Sequence, residues 1–205
     1  MTYTVKVRAI LGDISKLNQH YDVIVNAANK YLIPGGGVDG ALNRVAGPEL
    51  KRAMADAKEN NDIETGSAVA TLAYNLDADY VIHAVGPRFN DNRPEESEYF
   101  LKKAYEGIAR EVEQIRKQNY HENKIQVAVP VLSAGIYRYP LTLALKHGVE
   151  ALINSSNYDM GGSDLAVLYD FVIFDDGRNP EQASLNLDIA NDIIRKVIAE
   201  HGAKK

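Results

Sequence analysis

Short apolar runs of strand length alternate with longer amphipathic segments along this 205-residue chain. The run DVIVNA at residues 22–27 is typical of a buried strand, and residues 95–118 carry apolar side chains at helical spacing. This alternation predicts an α/β fold in which helices cover both faces of a largely parallel sheet. The predicted strands are 3–11, 22–27, 67–73, 80–85, 125–132 and 165–174, and the predicted helices are 40–58 (with a break near Gly47 and Pro48), 95–118, 141–154 and 181–201.

The composition excludes several classes of chemistry. The chain has no Cys, so a thiolate nucleophile, a disulfide framework and Cys-ligated zinc are all excluded. Its five His residues show no metal-ligand spacing, and we expect no metal and no bound cofactor. The formal charge is −5, and nucleic acid is not expected as a partner because non-specific binding needs clustered cations.

Length and hydropathy set expectations for organisation and location. At this length we expect one domain over residues 1–205. No segment is typical of a signal peptide or a membrane span, so we expect a cytoplasmic protein with no membrane partner.

Two loops of small residues each follow a predicted strand. The first contains Gly35, Gly36 and Gly37 ahead of a helix, and the second is SAGIY at residues 133–137. Ligands collect at the carboxyl ends of strands in an open α/β sheet, and backbone N–H groups at a helix N-terminus attract phosphate. Two such loops can clamp a diphosphate, although a glycine triplet alone is equally typical of a flexible turn. Neither loop matches the Lys-containing phosphate loop or the dinucleotide-binding fingerprint.

Four motifs resemble those of the macrodomain, a module that binds ADP-ribose. They are GDIS at 12–15, VNAANKYLIPGGGVDGALNRVAGPEL at 25–50, TGSAVATLAYNLDADYVIHAVGP at 65–87 and VPVLSAGIYRYP at 129–140. The variant GGGVDGAL resembles the MacroD-type hydrolase branch most closely. The resemblance implies a three-layer α/β/α sandwich around a six-stranded mixed sheet.

The resemblance also implies a set of ligand contacts. Asp13 would hold the adenine amino group, Ile14 would give a backbone contact and an apolar wall, and Phe174 would stack on adenine. The alternatives are a carboxylate at a helix N-terminus for Asp13 and an ordinary core position for Phe174. The backbone of residues 133–136 would cradle the phosphates, and Tyr137 would lie over the distal ribose. The predicted ligand-binding residues are Asp13, Ile14, Asn26, Ala27, Gly35, Gly36, Gly37, Val38, Ser133, Ala134, Gly135, Ile136, Tyr137 and Phe174.

Asn29 and Asp39 are the residues to which the resemblance assigns catalysis. Asn29 would orient the ribose hydroxyls, because an amide both donates and accepts hydrogen bonds. Asp39 would activate water, and its alternative is an N-cap for the helix that follows. For Asn26 we favour a structural loop residue that bonds to neighbouring backbone, and for His83 a hydrogen-bonded interior position.

The function implied by the resemblance is hydrolysis at the distal ribose of an ADP-ribose derivative. The enzyme would remove mono-ADP-ribose from proteins or deacetylate O-acetyl-ADP-ribose, and its partners would be ADP-ribose and ADP-ribosylated proteins. A non-catalytic ADP-ribose reader and a phosphatase acting on ADP-ribose 1″-phosphate are the alternatives. Asp39 is the residue that favours an enzyme.

Overall fold

A computed structural model describes residues 4–119, 124–155 and 166–202. Its strands are β1 (Thr4–Gly12), β2 (Tyr21–Ala27), β3 (Ala68–Leu72), β4 (Ala78–Ala84), β5 (Lys124–Pro130) and β6 (Ala166–Phe174). Its helices are α1 (Gly37–Ala46), α2 (Pro48–Asn60), α3 (Pro94–Asn119), α4 (Leu141–Ser155) and α5 (Pro180–Gly202). Tyr3 and Leu165, with which two of the predicted strands begin, lie outside the described residues.

The strands form one sheet in the order β1-β6-β5-β2-β4-β3. Every neighbouring pair is parallel except β3 and β4, which pair antiparallel at one side of the sheet. The six-stranded mixed sheet implied by the resemblance is therefore confirmed. Parallel strands need helical crossovers, and the helices between them supply these.

Helices cover both faces of the sheet and produce two apolar cores. Side chains of α3, α4 and α5 pack on one face together with Val23 and Val25, whereas α1 and α2 pack on the other face with Ile24. Alternate residues of β2 thus point to opposite faces, as a period of two requires. Leu42 and Leu50 are fully buried on the α1–α2 side, and burial of each stabilises the fold by about 1.5–3 kcal/mol.

The helical segment predicted at residues 40–58 is two helices, as its predicted break indicates, and the first of them begins earlier than predicted. Gly47 has φ +83° at the end of α1 and Pro48 is the first residue of α2, so the predicted break is confirmed. The start of α1 is Gly37 rather than residue 40. Gly37 has φ +59°, a conformation that glycine adopts without steric cost, and this places Asp39 inside the first turn.

The five parallel strands all end at one side of the sheet, which we call the carboxyl edge. The last residues of these strands are Gly12, Ala27, Ala84, Pro130 and Phe174. The β2–α1 loop (residues 28–36) and the β5–α4 loop (residues 131–140) leave this edge from adjacent strands. The predicted site residues lie on this edge, on its loops or in the first turn of α1. In the described part of the chain, no helix combines the length and apolarity that crossing a membrane requires.

Candidate active site

Asp39 is the most deeply buried carboxylate at the carboxyl edge, with 2% of its surface exposed. Its Oδ2 accepts a hydrogen bond of 2.7 Å from the backbone N–H of Gly35. Its Oδ1 accepts from the amide nitrogens of Asn26 at 2.7 Å and Asn43 at 3.0 Å. Asp39 is the third residue of α1, and Gly36 is the N-cap, so the interpretation of Asp39 as an N-cap is wrong. The side chain reaches back to the loop because helical side chains tilt toward the N-terminus.

All three of these hydrogen-bond donors to Asp39 are uncharged. Burial raises the pKa of the Asp39 carboxyl, and the hydrogen bonds from Asn26, Gly35 and Asn43 oppose this shift only in part. A carboxylate with a raised pKa is a better match to proton transfer near neutral pH than an ordinary aspartate.

Asp39 and Asn29 meet at Gly35. A Cβ atom at Gly35 would lie 3.3 Å from Asp39 Oδ2 and 3.6 Å from Asn29 Nδ2, so a side chain there would press against both groups. Asn29 is held in its own loop, where Nδ2 donates to Ile33 at 2.7 Å and Oδ1 accepts from the N–H of Tyr31 at 3.1 Å. The structure therefore brings the two predicted catalytic residues together.

The β5–α4 loop meets the glycine triplet through one side chain. A Cβ atom at Gly36 would lie 3.2 Å from Ile136 Cδ1, and one at Gly37 would lie 3.6 Å from it. On the other side of this loop, any side chain at Gly86 would collide with Ser133 Oγ. The two glycine-containing loops are therefore close neighbours, as the diphosphate clamp requires.

Arg88 and Phe89, in the connection between β4 and α3, hold Tyr137 in place. The guanidinium of Arg88 lies 4.6 Å from the centre of the Tyr137 ring, within cation–π distance. The backbone N–H of Phe89 donates to the carbonyl of Tyr137 at 2.9 Å. The next residue, Arg138, is exposed and has φ +56°, a left-handed conformation that glycine adopts more readily than arginine. No sequence pattern indicated the role of Arg88.

The residues predicted to hold adenine lie together at the ends of β1 and β6. Phe174 is 62% exposed and pairs with Gly12, so the alternative of a core position is wrong. Asp13 Oδ1 accepts from the backbone N–H and hydroxyl of Ser15 at 2.9 and 2.7 Å. No helix follows it within the described residues 13–20, so the alternative of a helix-terminal carboxylate is wrong as well. The side chain of Ile14 packs in the core and provides no open apolar wall, which leaves its backbone for the predicted contact.

Asn26 lies behind Asp39 and is fully buried on β2. Its amide nitrogen contacts the side chains of Asp39 and His83, so the interpretation of Asn26 as a loop residue that bonds to backbone is wrong. His83 is fully buried and hydrogen-bonded, which confirms its predicted interior role. None of the motifs indicates Asn43, although its spacing of four residues from Asp39 places the two side chains on one helix face.

One group in the described part of the chain has the composition of a metal site, and it lies away from Asp39. It consists of Glu98, His147 and Glu150, on α3 and α4. The ammonium of Lys102 lies 2.6 Å from Glu98 Oε1 and 3.1 Å from Glu150 Oε2. The Lys102 ammonium therefore already pairs with both carboxylates of this group.

The model of the Macro domain family matches residues 25–147. The chain belongs to the Macro domain family. This macrodomain is 43% identical, over 136 residues, to O-acetyl-ADP-ribose deacetylase 1 of Pantoea vagans. The match covers 66% of this chain and 74% of that relative.

Solved macrodomains share the fold. A macrodomain of Oceanobacillus iheyensis, solved with ADP, superimposes with a TM-score of 0.72 at 27% identity, over 94% of this chain and 91% of that one. A macrodomain of Trypanosoma brucei in complex with ADP-ribose gives a TM-score of 0.63 at 27% identity, over 89% of this chain and 67% of that one. The macrodomain resemblance is thus confirmed for sequence and fold.

Proposed function

We propose that this macrodomain binds ADP-ribose along the carboxyl edge and hydrolyses an ester on the distal ribose, with O-acetyl-ADP-ribose as substrate. The observation that carries the proposal is Asp39, a buried carboxylate bonded by uncharged donors beside Asn29. The Pantoea vagans relative, named as a deacetylase of this compound, supports the choice of substrate.

The order of strands matches the order of groups in the ligand. Adenine would lie at the ends of β1 and β6, near Asp13 and exposed Phe174. The β5–α4 loop comes next in the sheet and would bind the diphosphate through its backbone N–H groups, opposite Gly36 and Gly37. The β2–α1 loop follows and would receive the distal ribose. The distance across the sheet from β6 to β2 is two strand spacings, about 10 Å, which suits an extended ligand of this kind.

The chemistry follows from the hydrogen bonds of Asp39. A carboxylate oxygen accepts two hydrogen bonds; Oδ1 receives two from side chains, and Oδ2 receives one from Gly35, so a water would bind at Oδ2. Asp39 would take a proton from that water as its oxygen attacks the acetyl carbonyl carbon. As the bond between the acetyl carbon and the ribose oxygen breaks, Asp39 would return this proton to the ribose oxygen, giving ADP-ribose and acetic acid, which ionises to acetate. Asn29 and the two loops would supply the orientation of the ribose.

Mono-ADP-ribosylated proteins are the second candidate substrate. They can present an ester at the same distal ribose when the modified side chain is acidic. The observation that favours them is an apolar rim around the cleft, where Tyr31, Ile33 and Ile136 are each more than half exposed. Such a rim is suited to contact with a protein surface.

The experiment measures binding and turnover separately. Calorimetry with ADP-ribose and AMP is expected to show tighter binding of ADP-ribose, because AMP lacks the second phosphate and the distal ribose. Release of acetate from O-acetyl-ADP-ribose, and loss of label from a mono-ADP-ribosylated protein, are then followed with and without a chelator. We expect turnover that the chelator does not change.

Each alternative has its own result. If calorimetry detects no heat of binding with millimolar ADP-ribose, the placement of the ligand is overturned. Binding without turnover of either ester would indicate a reader. Release of phosphate from ADP-ribose 1″-phosphate, with no ester hydrolysis, would indicate a phosphatase.

A further inference from the structure

A chain of side-chain hydrogen bonds runs from the partly buried Thr71 on the outer strand β3 to the buried Asp39. Thr71 Oγ1 lies 3.0 Å from His83 Nε2, and His83 Nδ1 lies 3.1 Å from Asn26 Nδ2. The same Asn26 nitrogen lies 2.7 Å from Asp39 Oδ1. His83 and Asn26 are both fully buried, so water does not compete for the His83–Asn26 and Asn26–Asp39 bonds, whereas Thr71 is partly buried.

The direction of each bond is set by the one before it. The hydroxyl of Thr71 donates to the backbone carbonyl of Leu72 at 3.2 Å, so its oxygen accepts from His83. His83 therefore carries its ring proton on Nε2, and its Nδ1 must accept from Asn26. Burial lowers the pKa of His83 to about 3, which keeps the ring neutral, so that it carries one ring proton and its hydrogen-bond partners determine which nitrogen holds it.

The alternative tautomer would disrupt the contact with Asp39. With the proton on Nδ1, His83 would need an acceptor, and the Asn26 amide would turn its oxygen toward the ring. Because a single Asn26 atom contacts both His83 and Asp39, that oxygen would then face the Asp39 carboxylate and repel it. The tautomer of His83 thus decides whether a donor or an acceptor faces Asp39.

We propose that Thr71 and His83 are positioning residues for the hydrolysis: the Thr71 hydroxyl fixes the His83 tautomer, and this tautomer keeps an N–H of Asn26 on the Asp39 carboxylate. The proposal rests on the proposed function of Asp39. Neither residue touches the ligand, and both act through Asn26.

The kinetic test uses two substitutions of Thr71. Thr71→Val keeps the shape and the β-branched side chain on β3 but removes the hydroxyl, whereas Thr71→Ser keeps the hydroxyl. We expect Thr71→Val to lower kcat roughly fivefold to tenfold, the size of one lost neutral hydrogen bond, and Thr71→Ser to restore it. The acid limb of the kcat–pH profile is expected to move to higher pH in Thr71→Val, because Asp39 loses a donor.

The control is Thr142→Val, the same chemical change at an exposed position on α4. It is expected to leave kcat and the pH profile unchanged. The affinity for ADP-ribose is expected to stay within about twofold in all three variants, since the positioned bond acts on the base and not on the ligand. A Thr71→Val variant with wild-type kcat and pH profile would overturn the proposal.

Nuclear magnetic resonance supplies a measurement that does not depend on activity. The ¹⁵N shifts of the His83 ring are expected to show a protonated Nε2 and an unprotonated Nδ1 in the wild type, and a tautomer mixture in Thr71→Val. A wild-type proton on Nδ1 would refute the assignment. If the wild type hydrolyses neither ester, the proposed function fails on its own. The ¹³C titration of Asp39 then decides the present inference: a higher pKa in Thr71→Val supports it and an unchanged one overturns it.

Discussion

Two buried aspartates of this macrodomain have opposite surroundings. Asp170, in the middle of β6, is fully buried and accepts from the Arg8 guanidinium at 2.9 Å and from the Tyr21 hydroxyl at 2.8 Å. Arg8 is its register partner on β1, so the pair lies across two neighbouring strands. Asp39, at the carboxyl edge, is bonded by two side-chain amides and one backbone N–H, none of them charged.

The difference separates a structural carboxylate from a reactive one. A guanidinium compensates the buried charge of Asp170 through a charge-assisted hydrogen bond. Asp39 is stabilised by dipoles alone, so its ionised form retains part of the desolvation cost. Its pKa is therefore raised above that of an ordinary aspartate. We therefore expect changes at Asp170 to affect stability and changes at Asp39 to affect turnover.

The largest expected effect comes from removing the Asp39 carboxylate. Asp39→Ala is expected to lower turnover of O-acetyl-ADP-ribose about 10²–10⁴-fold, the usual loss for a general base. The affinity for ADP-ribose is expected to change by less than about threefold, because the base acts in the transition state. Steady-state kinetics and calorimetry measure the two effects.

The companion variant Asp39→Asn keeps the shape of the side chain. Full turnover in Asp39→Asn would leave Asp39 without a chemical role and would assign the base to a phosphate oxygen of the substrate. Loss of turnover in both variants, with the fold retained by circular dichroism, supports Asp39 as the base.

The next effect in size concerns Arg8. Arg8→Leu leaves Asp170 buried without its cation, and we expect a loss of about 3 kcal/mol in the free energy of unfolding. The value is at the lower end of the range for broken buried pairs because the Arg8 side chain is 52% exposed. Urea unfolding measures it, and turnover below the transition is expected to match the wild type. A stability equal to the wild type would show that water already compensates Asp170.

The pH dependence tests the raised pKa of Asp39. Turnover is expected to fall as the pH drops through a value above the ordinary range of an aspartate. Stability should respond in the opposite sense: the native state holds the Asp39 proton more tightly than the unfolded chain. The contribution of Asp39 is thus present at low pH and lost as the pH rises through the raised pKa. Urea unfolding across this range, with Asp39→Ala as the control that lacks the slope, measures the effect.

The smallest expected effect comes from the Tyr21 hydroxyl. Tyr21→Phe removes one neutral donor from Asp170 while Arg8 remains, and we expect a loss of about 1 kcal/mol in stability. Asn43→Ala is its counterpart, since it removes one donor from Asp39, and it is expected to lower turnover more than Tyr21→Phe does. Equal turnover in the two variants would remove the distinction between the two aspartates.

Patterns within short stretches of the sequence predict those elements of the fold that neighbouring residues alone determine. The buried run of β2 and the break at Gly47 and Pro48 follow from burial periodicity and backbone restrictions, and the structure has both. The sequence predicts a start of α1 three residues later than the structure shows, because Gly37 and Gly40 have a low helix propensity and Gly37 enters the helix with a positive φ.

The surroundings of Asp39 depend on pairings that no local window contains. Asn26 and His83 are 57 residues apart and are register partners on β2 and β4. Thr71 on β3 is the register partner of Val81 on β4. Val81 and His83 are two residues apart on β4 and lie on the same face, so the Thr71 side chain contacts His83 across the two strands. The motifs predict that Asn29 and Asp39 lie at the carboxyl edge of the sheet. The buried groups that contact Asp39 from the strands are seen only once the strand pairing is known.

Ile136 has a consequence for the speed of binding. Its Cδ1 methyl group lies against Gly36 and Gly37 of the opposite loop, and more than half of the side chain is exposed. We therefore expect a change of rotamer at Ile136 to widen the space between the two loops without a movement of the backbone. Exposed side chains change rotamer in picoseconds to nanoseconds, far faster than loops rearrange. Diffusion, and not a conformational step, is then expected to limit the association of a diphosphate ligand with this cleft.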